Sequence, residues 1–288
     1  MALSFVGVLN KARRGVVICE ISLSRNLADP YFHLLSEHMS GHSKWATIKR
    51  QKGANDAARG KIFTKLIREL STAAKLGGGD PDGNARLRKA IADCRAKQMP
   101  ADNIKRAIQR GTGELDGANY DEVLYEGTGP GGTLFLVEGM TDNRNRTAPE
   151  LRRIFEKRGG NMGGTGTAGW AFERFGTIVL DKAAVSEEQL MEIALEAGVD
   201  DYRDDGETWL VCTPVSDLFD VLAQFEKSGL PIVESGLGFV PNNKKTVTGE
   251  DARKCLELAE ALDDHDDVQG VFFDFEVSDD ELTRILGS

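Results

Sequence analysis

Residues 177–240 read TIVLDKAAVSEEQLMEIALEAGVDDYRDDGETWLVCTPVSDLFDVLAQFEKSGLPIVESGLGFV. The β-branched and apolar run 177–180 is a strand, and the three- and four-residue spacing of apolar side chains over 186–197 is a helix. Two further strands follow, near Asp201 and over 208–213, then a helix over 216–228 and a strand over 232–240. The order βαββαβ is the split βαβ arrangement of ferredoxin-like domains, with two helices on one face of a four-stranded antiparallel sheet.

Outward from this unit, the pattern is open on both sides. Upstream, strands over 122–126 and 133–139 flank the turn-rich Gly127-Thr-Gly-Pro-Gly-Gly132. A helix over 148–157, capped by Thr147, then leads into the glycine-rich segment 159–169 and a short strand over 170–172. Downstream, a helix over 250–262 and a strand over 268–276 have no partner within the unit. They are expected to return to the earlier sheet, which makes the ferredoxin-like unit an insertion.

Further upstream, Ile62, Phe63, Leu66, Ile67, Leu70 and Ala74 recur at helical spacing over 55–76 and stop at Gly77-Gly78-Gly79. A second helix begins near Asn84, carries Leu87, Ile91 and Cys94, and ends before Pro100. A third, opened by Asp102, carries Ile104, Ala107 and Ile108 and stops at Gly111. The expected fold is therefore α+β and multidomain: an N-terminal three-helix bundle over 39–117, an α+β domain over 118–173 and 245–288, and an inserted ferredoxin-like domain over 174–244. Residues 1–38 are expected to be an extension ahead of Met39; Glu20, Asp29 and Glu37 argue against a targeting peptide there.

Charge is distributed unevenly along these parts. Residues 39–118 hold 17 Lys and Arg against 8 Asp and Glu, a net +9, whereas residues 119–288 hold 15 against 35, a net −20. A basic segment on an acidic body points to a polyanion held at one face, since the body repels it elsewhere. No apolar run reaches the roughly 18 residues that span a bilayer, so no membrane role is expected. The four cysteines, Cys19, Cys94, Cys212 and Cys255, form no CxxC pair, which leaves no zinc knuckle or disulfide framework and suits a reducing cytoplasm. No GxSxG, HExxH or close His/Cys/Asp grouping is present, so neither catalysis nor a cofactor is expected.

The candidate nucleic-acid-binding residues follow from the charge. Ser40-Gly-His-Ser-Lys-Trp-Ala-Thr-Ile-Lys-Arg-Gln-Lys52 sets Lys44, Lys49, Arg50 and Lys52 beside Trp45. The cations suit a phosphate backbone, and Trp45 suits either base stacking or anchoring of the arm. Helical faces add Arg59, Lys61, Lys65 and Arg68, then Arg86, Arg88 and Lys89, then Lys105 and Arg106. Arg144 and Arg146, in Asp142-Asn-Arg-Asn-Arg-Thr147, stand at a strand-to-helix junction where phosphate binding and structural capping are both open. The glycine clusters match no GxxxxGK[ST] pattern and read first as turns, although bare backbone in the second permits close approach by RNA. Asp263-Asp-His-Asp-Asp267 reads as a solvated acidic turn rather than a metal site.

Met39-Ser-Gly-His-Ser-Lys-Trp-Ala-Thr-Ile-Lys-Arg-Gln-Lys52 resembles the start of the YebC/PmpR family, and the resemblance runs through the rest of the chain. It includes Phe63-Thr-Lys-Leu-Ile-Arg68, Met99-Pro-Ala-Asp-Asn-Ile104, Tyr125-Glu-Gly-Thr-Gly-Pro-Gly-Gly132 and Thr141-Asp-Asn-Arg-Asn-Arg146. The resemblance implies a three-helix domain followed by two α+β domains, one inserted in the other. It implies a DNA-binding transcriptional regulator or, as in the related mitochondrial translational activator of cytochrome oxidase subunit I, a factor acting on the ribosome. The partners expected are therefore DNA or ribosomal RNA, the latter in the large ribosomal subunit, with relief of stalling at proline runs as the translational role. A protein-interaction scaffold is the competing class.

Overall fold

The first three elements of the computed structural model, which describes residues 56–199 and 201–287, are the helices α1 (Asp56–Gly77), α2 (Ala85–Ala96) and α3 (Ala101–Gly111). Their apolar stripes meet in one core of Leu70, Ala73, Leu87, Ile91, Cys94, Ile104 and Ala107. Gly78, at φ +88°, ends α1 and returns its amide to the Ala74 carbonyl at 2.9 Å, the left-handed stop that glycine takes without strain. Asn84 then caps α2 by accepting from the Leu87 amide, while its own amide group donates to the carbonyls of Ala73 and Gly78. One side chain thus starts the second helix and ties it to the end of the first.

Two four-stranded antiparallel sheets follow. The first has the order β3-β1-β2-β9, from β1 (Asp121–Thr128), β2 (Leu134–Thr141), β3 (Asn161–Met162) and β9 (Val268–Phe273). Its last strand comes from the far end of the chain, so the expected return to the earlier sheet is observed. Helices α4 (Arg144–Lys157) and α7 (Gly249–Asp263) cover one face, burying Phe135, Val137, Leu151, Phe155, Leu258 and Leu262. The opposite face of β2 carries Leu136, which packs with Ala168, Ala171 and Phe172. Both faces of β2 are therefore buried, which explains its nearly continuous apolar sequence.

The second sheet has the order β5-β6-β4-β7, from β4 (Phe172–Asp181), β5 (Asp201–Asp204), β6 (Thr208–Thr213) and β7 (Ile232–Pro241). Helices α5 (Glu187–Glu196) and α6 (Leu218–Lys227) close over Ile178, Leu180 and Val211 with Leu190 and Phe225. Phe239 and Phe272 meet edge to face at 5.3 Å where β7 adjoins β9. A short parallel pair, β8 (Lys245–Thr246) with β10 (Phe275–Glu276), and a last helix, α8 (Asp279–Gly287), complete the described chain. The fold is mixed α+β.

Three local expectations change. Helix α4 begins at Arg144, not Ala148: Asn143 caps it, accepting from the Arg146 amide, and Thr147 lies buried inside it. Pro149 suits a first turn and so pointed to a later start, yet it is held within the helix. Residues 169–171 form a 3-10 turn ahead of β4 rather than a strand. Helix α8 was not expected, although Ser278-Asp-Asp-Glu281 has the spacing of a capping box.

Candidate nucleic-acid interface

Helix geometry puts Lys61, Lys65 and Arg68 along one side of α1, and the structure sets that side on the segment joining α7 to β9. Lys61 Nζ lies 3.4 Å from Asp264 Oδ1, and Lys65 Nζ donates to both the Asp263 carbonyl (2.6 Å) and its Oδ1 (3.0 Å). Arg68 Nη2 reaches Asp267 Oδ1 at 2.8 Å. Asp267 is almost wholly buried, and its Oδ2 accepts from Arg146 Nη2 (2.7 Å), from Thr141 (3.2 Å) and from the Thr147 hydroxyl. Burial pushes its carboxyl up, but Thr147, Arg146 and Arg68 outweigh burial and hold it below the ordinary aspartate value. The acidic segment is thus a docking strip for α1, and Asp263 and Asp267 are withdrawn from solvent rather than lying in a solvated turn.

Other candidates are also paired. Arg86 forks onto Glu69 at 2.6 and 2.9 Å and reaches Glu122 at 2.8 Å, so it links α2 to α1 and β1. Lys89 pairs with Asp93 along α2, and Arg144, well exposed, lies 3.6 Å from Asp121. Arg146 is shared between Asp142 and Asp267. Arg88 is exposed and donates to the Pro81 carbonyl. Lys105 and Arg106 on α3 are exposed and take no ion-pair partner among the described residues. The same holds for Arg95, Lys97 and Arg110, and on α4 for Arg152, Arg153 and Lys157. Lys44, Trp45, Lys49, Arg50 and Lys52 lie outside the described residues, and Arg59 falls in the first turn of α1.

The glycine-rich segment after β3 has an anion already in place. Buried Glu126 accepts from the amides of Gly166 (3.0 Å), Ala168 (2.6 Å) and Gly169 (2.7 Å). Burial raises its carboxyl, yet the amides of Ala168, Gly166 and Gly169 outweigh that and hold it below the usual glutamate value. A phosphate-cradling role for these amides is thereby excluded, because a protein carboxylate occupies them. Trp170, at the end of this segment, is 72% exposed.

Cys94, Cys212 and Cys255 are free and buried, and burial pushes each thiol up to about 11. Among the described residues, no helix is long and apolar enough to cross a membrane, and no group of three or more His, Cys, Asp or Glu could hold a metal ion.

Two family models account for most of the chain: one described as the TACO1/YebC protein N-terminal domain matches residues 43–114, and one described as the TACO1/YebC second and third domain matches residues 120–275. The chain belongs to the TACO1/YebC family. Relatives include a protein of Chloroherpeton thalassium, 51% identical over 248 residues that make up 86% of this chain and 99% of that one. A protein of Syntrophus aciditrophicus is 49% identical over 248 residues, with the same shares. Both carry the name probable transcriptional regulatory protein. The crystal structure of a conserved hypothetical protein from Aquifex aeolicus superposes with a TM-score of 0.75 at 43% identity, covering 82% of this chain and 98% of that one. Membership in the YebC/PmpR group, expected from the motifs, is shown.

Proposed function

We propose that this protein is a non-enzymatic regulator of gene expression that binds nucleic acid through the solvent-facing cations of α2 and α3. The observation that carries this reading is the division of the basic residues into two sets. Lys61, Lys65, Arg68 and Arg86 are taken by carboxylates of the same chain, whereas Arg95, Lys97, Lys105, Arg106 and Arg110 face solvent without one. Unpaired surface cations release counterions from a phosphate backbone at no cost in internal ion pairs. The name borne by the relatives supports DNA as the ligand. Three buried free thiols suit a reducing, cytoplasmic setting.

In this reading residues 1–38 are an extension, 39–117 the basic domain, and 118–173 with 245–288 an α+β domain. Residues 174–244 are a ferredoxin-like insertion. The order β5-β6-β4-β7 with two helices on one face supports the insertion, and pairing of β9 with β2 supports the discontinuous domain. The test is binding of the full chain to DNA fragments and to ribosomal RNA as a function of salt. Reversing Lys105, Arg106 and Arg110 to Glu weakens binding and lowers the salt slope by about 3. Unchanged affinity and slope would remove these helices from the interface.

A further inference from the structure

The fold buries one tryptophan and turns another outward. Trp209 is 8% exposed, donates from Nε1 to the Val185 carbonyl and packs edge-on to Tyr202. Trp170 is 72% exposed, yet its surroundings are fixed. Its indole N–H donates to the Thr167 carbonyl at 3.3 Å, and Ala171 N closes the 3-10 turn onto the Ala168 carbonyl. Ala168 and Ala171 on either side are buried, and the Glu126 carboxylate holds the segment through three amides. An indole held open to water on a braced turn is preorganised for a flat partner, because no ordering of the loop is left for binding to drive.

The surroundings identify that partner. No carboxylate occurs in the sequence between Glu126 and Glu138, between Glu156 and Glu173, or between Glu234 and Glu250, although residues 119–288 as a whole carry a net charge of −20. The fold brings these three acid-free stretches together. Thr128 pairs with Asn161, Lys245 Nζ donates to the Gly131 and Gly132 carbonyls, and the Asn242 amide donates to the Ala171 carbonyl. Asn242 Nδ2 also reaches the Trp170 carbonyl at 3.5 Å. Of the carboxylates that border them, Asp205 and Glu257 pair with Lys244 and Arg158, Asp251 lies beside Gly131, and Glu156 and Glu173 are exposed at the ends of the Trp170 stretch.

We infer that Trp170 is a stacking platform for an unpaired nucleobase, so that the nucleic acid bound includes a single-stranded segment. The inference rests on the nucleic-acid reading above and narrows it. Stacking on an aromatic face needs a base free of its own stack, and glycine-rich stretches that carry no acidic side chain of their own let the strand's phosphates pass close to the backbone. In a paired duplex the base faces are covered, and Trp170 has nothing to stack on.

The experiment measures binding of the full chain to a labelled single-stranded oligonucleotide, in RNA and DNA forms, and to the matching duplex. It compares wild type with Trp170→Ala, Trp170→Phe and the Lys105→Glu/Arg106→Glu double variant. Trp170→Ala is expected to lose about tenfold on the single strands and nothing on the duplex, with its salt slope unchanged and the Phe variant retaining most of the affinity. Quenching of tryptophan fluorescence by the single strand is expected to shrink in Trp170→Phe. If Trp170→Ala binds single strands as wild type does, or loses equally on both ligands, the stacking role is overturned while the nucleic-acid reading stands on the charge variant. If wild type binds none of the ligands, both fall, and loss of a nuclease-resistant protein complex in Trp170→Ala would assign the indole to a protein contact instead.

Discussion

Arg68 Nη2 lies 2.8 Å from Asp267 Oδ1, and the pair joins the basic helices to the acidic body with both side chains nearly out of water. Arg68 also sits over the Tyr120 ring, 5.4 Å from its centroid. Asp267 has further donors in Arg146, Thr147 and Thr141, so its charge is well met. Such a pair adds modestly to stability as a whole, but removing one partner leaves the other buried and unmet.

Asp267→Asn is therefore expected to destabilise the protein by about 3–5 kcal/mol at neutral pH, read from denaturant unfolding. The carboxyl is depressed in the folded state, so its contribution is complete above the unfolded aspartate value of about 3.9 and is lost as pH falls through the lower, folded value. Below that range wild type and Asp267→Asn converge. Equal spacing of the two stability curves from pH 7 down to 2.5 would show that the charge on Asp267 contributes nothing.

The two sets of cations predict opposite phenotypes. Lys61→Gln with Lys65→Gln removes partners of Asp264 and Asp263, so the melting temperature falls while nucleic-acid affinity and its salt slope stay near wild type. Lys105→Gln with Arg106→Gln touches no described ion pair, so the melting temperature holds while the salt slope drops by about 2. A salt titration of binding beside a thermal melt separates them. Identical behaviour of the two double variants would dissolve the distinction.

That division could not be read from the sequence, because Lys65 and Asp263 are 198 positions apart and a charge sum is blind to who pairs with whom. The helices themselves were legible, since Leu70, Leu87 and Ile104 fall on periodic stripes and Gly77-Gly78-Gly79 supplies an unambiguous stop. The strand order around residues 177–240 was legible for the same reason: Ile178, Leu180 and Val211 lie in short apolar runs between turns. Helix α8 escaped because two apolar anchors, Leu282 and Ile285, make too short a stripe to stand out. Trp170 escaped because nothing in Ala-Gly-Trp-Ala-Phe tells an outward indole from an inward one.

The brace on the glycine-rich segment predicts a local effect. Glu126→Gln exchanges a carboxylate accepting three amides for a neutral group with one acceptor oxygen, a loss of about 1.5–3 kcal/mol where a charge-assisted bond disappears. Hydrogen exchange at Gly166, Ala168 and Gly169 is expected to accelerate, with the cores of α1–α3 unaffected. In wild type the same protection weakens as pH falls through the depressed Glu126 value, and the Gln variant lacks that dependence. Unaltered exchange at these three amides would mean that the segment is held by something other than Glu126.

Two glycines on adjacent helices should respond oppositely to the same methyl group. A Cβ on Gly111, at the end of α3, would lie 2.7 Å from the Ala74 Cβ and closer still to the Ser71 carbonyl oxygen. That oxygen belongs to α1 backbone, which the Ser71 hydroxyl already fastens to α3 by donating to the Ala107 carbonyl at 3.0 Å. The backbone has no rotamer by which to yield, so the two helices must part. Gly111→Ala is expected to cost about 1–3 kcal/mol, more than the gain of about 1 kcal/mol that alanine brings to a helix. Gly60, in the first turns of α1, has nothing within 4 Å of an added Cβ, and Gly60→Ala should stabilise by about 0.5–1 kcal/mol. Urea unfolding distinguishes them by a lower midpoint in the first variant and a higher one in the second, at unchanged slope. A stabilised Gly111→Ala would mean that α1 and α3 are not in backbone contact there.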